Sequence, residues 1–126
     1  MIALILEDRC TGCGDCVAAC PMDVFDPGPA DAAPALPIIA RQADCQTCFL
    51  CELYCEADAL YVDPDCEAPA QIDPAEIERS GLLGQYRRCS GWDEWAESDA
   101  YPNEHWRMEE MFALARALPP EAPSAP

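Results

Sequence analysis

The spacing Cys-x2-Cys-x2-Cys-x3-Cys occurs twice in this chain of 126 residues, as Cys10, Cys13, Cys16, Cys20 and again as Cys45, Cys48, Cys51, Cys55. The offset between the two runs is 35 residues, and the surroundings repeat with it. Each half opens on a β-like run, residues 2–6 or 37–40, and carries a short helical turn across its last two cysteines. Each closes on a second β-like run, residues 24–25 or 59–62, stopped by Asp-Pro at 26–27 and 63–64. Two units this small cannot hold separate cores; together they can enclose something. The link between them, residues 27–37, has four prolines and a glycine and reads as a surface loop.

Ten cysteines in so short a chain would fit a secreted disulfide scaffold. The start argues otherwise. Met1-Ile2-Ala3-Leu4-Ile5-Leu6 meets Glu7-Asp8 at once, too short for a signal h-region or a membrane span. The expected setting is the cytoplasm, a reducing compartment where clustered cysteines bind metal. The net charge is −17, with seven arginines and no lysine. Such a surface repels nucleic acid and anionic lipid. It suits docking to a basic face of another protein, or serves solubility alone.

The doubled spacing has a physical reason in iron–sulfur chemistry. A four-iron cubane takes four thiolates. A Cys-x2-Cys-x2-Cys loop wraps three corners, and the cysteine one helical turn further on points away and ligates the other cluster. The resulting assignment is Cys10, Cys13, Cys16 and Cys55 for a first [4Fe–4S] cluster, and Cys45, Cys48, Cys51 and Cys20 for a second. Such an exchange makes folding depend on the metal. Zinc also takes four thiolates, but structural zinc sites pair Cys-x2–4-Cys units and need neither the third nor the fourth cysteine of each run.

The eight cysteines and Pro21 resemble the bacterial two-cluster [4Fe–4S] ferredoxins, over residues 1–66. That resemblance implies an α+β ferredoxin fold, a pseudo-two-fold β-α-β pair around two nearby cubanes, and electron transfer between them. The second run departs from the family in ending Cys55-Glu56 where Cys-Pro is usual. Glu56 either lowers the potential of the neighbouring cluster by its charge or points to water with little effect. The loops differ too: Gly12 and Gly14 let amides approach the first cluster, whereas Phe49 and Leu50 exclude water from the second. The two clusters are therefore expected to differ in potential. Cys66 and Cys89 read as ordinary free thiols.

Residues 67–126 form an extension beyond the ferredoxin-like domain. Asp73-Pro74 caps a short helix through Arg79 that Gly81 ends. Residues 82–101 read as irregular. Asn103 caps a helix to about Leu118, with Met108, Met111, Phe112, Ala115 and Leu118 near one face. The extension holds Trp92, Trp95 and Trp106, and Arg79, Arg87, Arg88, Arg107 and Arg116, types enriched at interfaces. It folds back over the domain, wraps a partner, or does both, and the partner is favoured; residues 81–88 read as a docking element. A weaker resemblance, to ferredoxin-type small subunits of flavoprotein oxidoreductases, implies a flavoprotein partner and a hetero-oligomer. A diffusible ferredoxin with a protective tail is the alternative. His105 has no assigned role, and no nucleotide loop, nucleophile elbow or histidine–acid pair marks a substrate site.

Overall fold

The computed structural model describes residues 1–90 and 108–120. Its strands belong to two separate antiparallel pairs, and each pair joins one half of the repeat to the other. β1 (Ile2–Ile5) pairs with β4 (Leu60–Val62), matching Ile2 with Val62, Leu4 with Tyr61 and Ile5 with Leu60 around an irregularity between Ile2 and Leu4. β2 (Phe25–Asp26) pairs with β3 (Ile38–Ile39), matching Phe25 with Ile39 and Asp26 with Ile38. Isolated two-stranded ribbons are marginal in water. Here each ribbon closes over the short helices α1 (Asp15–Ala19) and α2 (Leu50–Tyr54), which lie against one another.

The β1–β4 ribbon is buried on both faces. Side chains alternate along a strand, so Leu60 and Val62 face the side with Ile2, Val24, Phe25 and Phe49. Tyr61 faces the opposite side, with Leu6, Ile72, Ile77, Leu82, Leu83 and Ala115. The first cluster includes Cys16 and Cys51 and surrounds the cysteine runs. The second is built largely from the extension.

That extension contributes α3 (Pro74–Ser80), α4 (Gln85–Cys89) and α5 (Met108–Arg116). α3 forms as its sequence dictates. Asp73 accepts the Ala75 N–H at its N-cap, Pro74 occupies the first turn, and Gly81 ends it in the left-handed region at φ 75°. Ile77 has no exposed surface. The expectation of irregular chain over 82–101 fails at α4. Its five residues have no side-chain cap and start from Gly84 at φ 78°. Their helix is stabilised by tertiary packing, a cause that local propensity does not reveal. Asn103, His105, Trp92, Trp95, Trp106 and Arg107 lie outside the described residues. Within those residues the extension lies on the domain and shares its core, as in the reading that folds it back over the domain. No helix among the described residues is long and apolar enough to cross a membrane.

Candidate metal centres

The left-handed backbone positions recur at the 35-residue offset. Gly12 and Thr47 have φ of 73° and 56°, Gly14 and Phe49 79° and 63°, and Asp23 and Asp58 53° and 51°. Each position reverses the chain so that the cysteines around it face inward. Glycine takes this geometry without strain; Thr47 and Phe49 hold it at a cost of about 1–2 kcal/mol each. Gly12 has a second reason to be glycine, since a Cβ there would stand 2.8 Å from the Ala35 nitrogen of the connecting loop.

The turns gather the eight cysteines of the two runs into two recesses. Cys10, Cys13 and Cys16 line the first together with Cys55 from the far run, beside Gly14, Pro37 and Leu60. Cys45, Cys48 and Cys51 line the second together with Cys20, beside Ile2, Val24 and Phe49. Three cysteines thus come from one run and the fourth from the other. The recesses span about 360 and 320 Å³ of space that includes open solvent. Among the described residues, no three thiol, imidazole or carboxylate groups converge closely enough to hold a single metal ion. The thiols stand around a volume, which suits a polynuclear group better than one zinc ion at its bond length of about 2.3 Å.

Backbone amides reach the sulfurs in a repeated pattern. In the first recess the Gly12 N–H donates to Cys10 Sγ (3.4 Å) and the Ala59 N–H to Cys55 Sγ (3.4 Å). In the second the Thr47 N–H donates to Cys45 Sγ (3.4 Å) and the Val24 N–H to Cys20 Sγ (3.5 Å). The second recess has a further donor, the Ile2 N–H on Cys45 Sγ at 3.3 Å. Thirty-five residues on from Ile2 stands Pro37, which has no N–H to give. Thr47 Oγ1, between Cys45 and Cys48, is buried with no protein partner. A dense set of soft sulfur donors with amides aimed at them is the environment a thiolate-ligated iron–sulfur group takes.

Burial makes the recesses costly for bare thiolates. It pushes the Cys16 thiol up to about 11, with the nearby Cys55, Cys10 and Cys13 adding to the shift. It raises Cys51 as well, helped by the charge of Glu52, and Cys55. A metal group reverses this by supplying the positive charge that deprotonates the thiols, coupling metal uptake to folding.

The recesses differ in cover. Cys13 is exposed at the mouth of the first. Over the second, Phe49 stacks on Tyr86 of α4 (centroids 4.7 Å apart, planes 17° apart) and meets Phe112 of α5 at 5.4 Å. Phe49 is buried and lines the second recess, whereas Leu50 is half-buried and does not line it. Glu56 is exposed, as in the reading that gives it little effect. Cys66 is exposed and Cys89 half-buried; both line neither recess, and Cys89 Sγ lies 3.4 Å from Gln85 Oε1.

Sequence reasoning missed three features. Glu52 is buried and accepts the Val62 N–H at 2.6 Å, and burial raises its carboxyl to about 8. Tyr86 and Phe112 pack on Phe49, a wall of the second recess. Arg87 and Arg88 grip Asp58. Within residues 81–88, read as a docking element, Arg87 and Arg88 pair with this chain's own Asp58. The one signal for it was positional: Asp58 repeats Asp23 at the 35-residue offset.

A family model for the 4Fe–4S dicluster domain matches residues 9–60, a span that holds all eight cysteines of the two runs. A ferredoxin of Methanothermococcus thermolithotrophicus is 39% identical over 57 residues, covering 44% of this chain and 87% of that protein. The chain belongs to the 4Fe–4S ferredoxin family, and its general function is iron–sulfur electron transfer. The relative is matched over less than half of this chain.

Proposed function

We propose that this chain is a two-cluster electron relay, with residues 1–66 as a pseudo-two-fold ferredoxin domain and residues 67–126 as an extension specific to its task. Cys10, Cys13, Cys16 and Cys55 would hold one [4Fe–4S] cluster, and Cys20, Cys45, Cys48 and Cys51 the other. The supporting observation is the composition of each recess, three cysteines from one run and one from the other. When bound, such clusters supply one-electron oxidation and reduction. The chain's own residues do the rest. The cysteines fix the two positions, the amides of Gly12, Val24, Thr47 and Ala59 stabilise negative charge on sulfur, and Phe49 with Tyr86 and Phe112 keeps water from the second recess.

The proposed partner is a larger redox protein, a flavoprotein by the resemblance of the architecture, met in the cytoplasm as a hetero-oligomer. The charge of −17 favours a basic docking face. A second reading has specific support: the described stretches of the extension lie on this chain's own domain, as in a diffusible carrier with a covering tail.

Anaerobic purification from the native host, with iron, sulfide, zinc and flavin analysis, tests all of this. About eight irons and eight sulfides per chain are expected for two cubanes. A co-purifying flavin-bearing subunit supports the relay subunit, and a brown monomer the diffusible carrier. Zinc without iron overturns the cluster assignment.

A further inference from the structure

The extension reaches the first recess through an ion triad. Asp58 follows Cys55 by three residues and sits in the left-handed region at φ 51°. The next amide, Ala59 N–H, is the one that donates to Cys55 Sγ. Helix α4 holds the Asp58 carboxylate from both sides. Arg87 Nη2 lies 3.1 Å from Oδ1, Arg88 Nη1 lies 2.9 Å from Oδ2, and Arg87 Nε adds a bond to Oδ1 at 3.3 Å. The side chains of Arg87 and Asp58 are 6% and 16% exposed, so water and salt screen the pair weakly. Gly84 fits the grip: a Cβ there would stand 2.4 Å from Asp58 Cγ, so the start of α4 closes directly on the carboxylate.

The matching position in the other half lacks this arrangement. Asp23 has φ 53°, and the following Val24 N–H donates to Cys20 Sγ. Its ion partner is Arg41, 3.7 Å away and between the two cysteine runs, and the Asp23 side chain is 87% exposed. Of the two equivalent turns, α4 grips the one beside Cys55.

We propose that Asp58, Arg87 and Arg88 are positioning residues for Cys55 that set the electrical environment of the first recess, so that this triad tunes the first cluster and leaves the second alone. The inference rests on the cluster assignment proposed above. Removing the Arg88 charge takes a positive charge from beside a site that becomes more negative on reduction, and removing the Asp58 charge takes a negative one. These changes push the reduction equilibrium in opposite directions, whereas simple loosening of the turn moves both variants the same way.

The test is a redox titration, followed by electron paramagnetic resonance, of full-length protein loaded anaerobically with iron and sulfide. The first-recess wave is the one displaced by Cys13→Ser. In that wave Arg88→Gln is expected to lower the reduction equilibrium about three- to tenfold, about 30–60 mV at 59 mV per tenfold. Asp58→Asn is expected to raise it by a similar factor, Arg88→Lys to hold near the wild-type value, and the other wave to stay in place. Shifts of one sign, equal shifts in both waves, or no shift overturn the inference. Should Asp58→Asn not load, the contrast of Arg88→Gln with Arg88→Lys decides: a lowered wave restored by lysine supports the inference, and any other pattern overturns it. Wild-type protein holding fewer than two clusters overturns the cluster assignment and this inference together; two intact clusters with unmoved waves overturn this inference alone.

Discussion

The two cysteine halves share a backbone and differ in almost everything attached to it. Positions 12 and 47, 14 and 49, and 23 and 58 are left-handed in both, and the same two amides in each half reach sulfur. Yet Gly14 is answered by Phe49, Val17 by Glu52, Pro37 by Ile2, and the open Asp23 by the gripped Asp58. The first recess has an exposed cysteine, and the second is lined by Phe49, on which Tyr86 stacks and Phe112 packs at a tilt. The difference separates two kinds of constraint. Turns that aim thiols and amides inward are dictated by the ligand geometry and repeat. Side chains directed away from the thiols are free to diverge, and the extension has used that freedom at Phe49 of the second recess and at Asp58 beside the first.

The largest effect expected is on the crossing of the halves. Cys20→Ala should empty the site built by the second run, and Cys55→Ala the site built by the first. Each should reduce bound iron from about eight to about four atoms per chain. Iron and sulfide assays, with the spectrum of the surviving site, check this; loss of the site in the variant's own run would sink the crossing.

Phe49→Gly makes the second loop imitate the first. It removes a buried ring worth about 3–5 kcal/mol and relieves left-handed strain of about 1–2 kcal/mol. A net loss of about 2–3 kcal/mol is expected in anaerobic urea unfolding, with faster oxygen damage to one cluster only. Equal damage to both clusters would mean that the aromatic cover is not selective.

Glu52→Gln tests the buried acid that replaces Val17. The folded carboxyl is raised to about 8 from an ordinary value near 4.5, by burial first and against the Val62 N–H. Below about 4.5 both folded and unfolded chains hold the proton, so the group makes no difference there. As pH rises towards 8 the unfolded chain gives up its proton and the folded chain keeps it, so wild-type stability falls. The variant should therefore overtake the wild type between pH 5 and 8, by on the order of 1 kcal/mol per pH unit. Parallel pH profiles would show that Glu52 is not held protonated.

The smallest expected effect is at the missing amide. Pro37→Ala gives the first recess the N–H that Ile2 gives the second, and an added N–H donor favours the more negative, reduced state. Its reduction equilibrium should rise about twofold to threefold, roughly 20–30 mV at 59 mV per tenfold. An unmoved wave would mean that the new amide does not reach sulfur.

Much of this was legible in the chain itself. Spacing alone paired three cysteines with a fourth from the other run, because a helical turn after Cys16 or Cys51 must carry Cys20 or Cys55 away from its own loop. The Asp73-Pro74 cap and Gly81 stop bounded α3 to within a residue, since those signals act through neighbouring atoms. The partners of the strands were not legible, because runs of two to four residues carry no register of their own. Nor were α4, the burial of Glu52 or the grip on Asp58. Residues 85–89 have no side-chain cap, and they are helical because Tyr86 meets Phe49 and Arg87 meets Asp58, contacts that span 37 and 29 residues. The sequence by itself determined which cysteines share a recess, because that follows from spacing within a run. Tertiary structure alone decided which recess is covered and which carboxylate is paired, because burial and charge depend on what the distant tail brings against them.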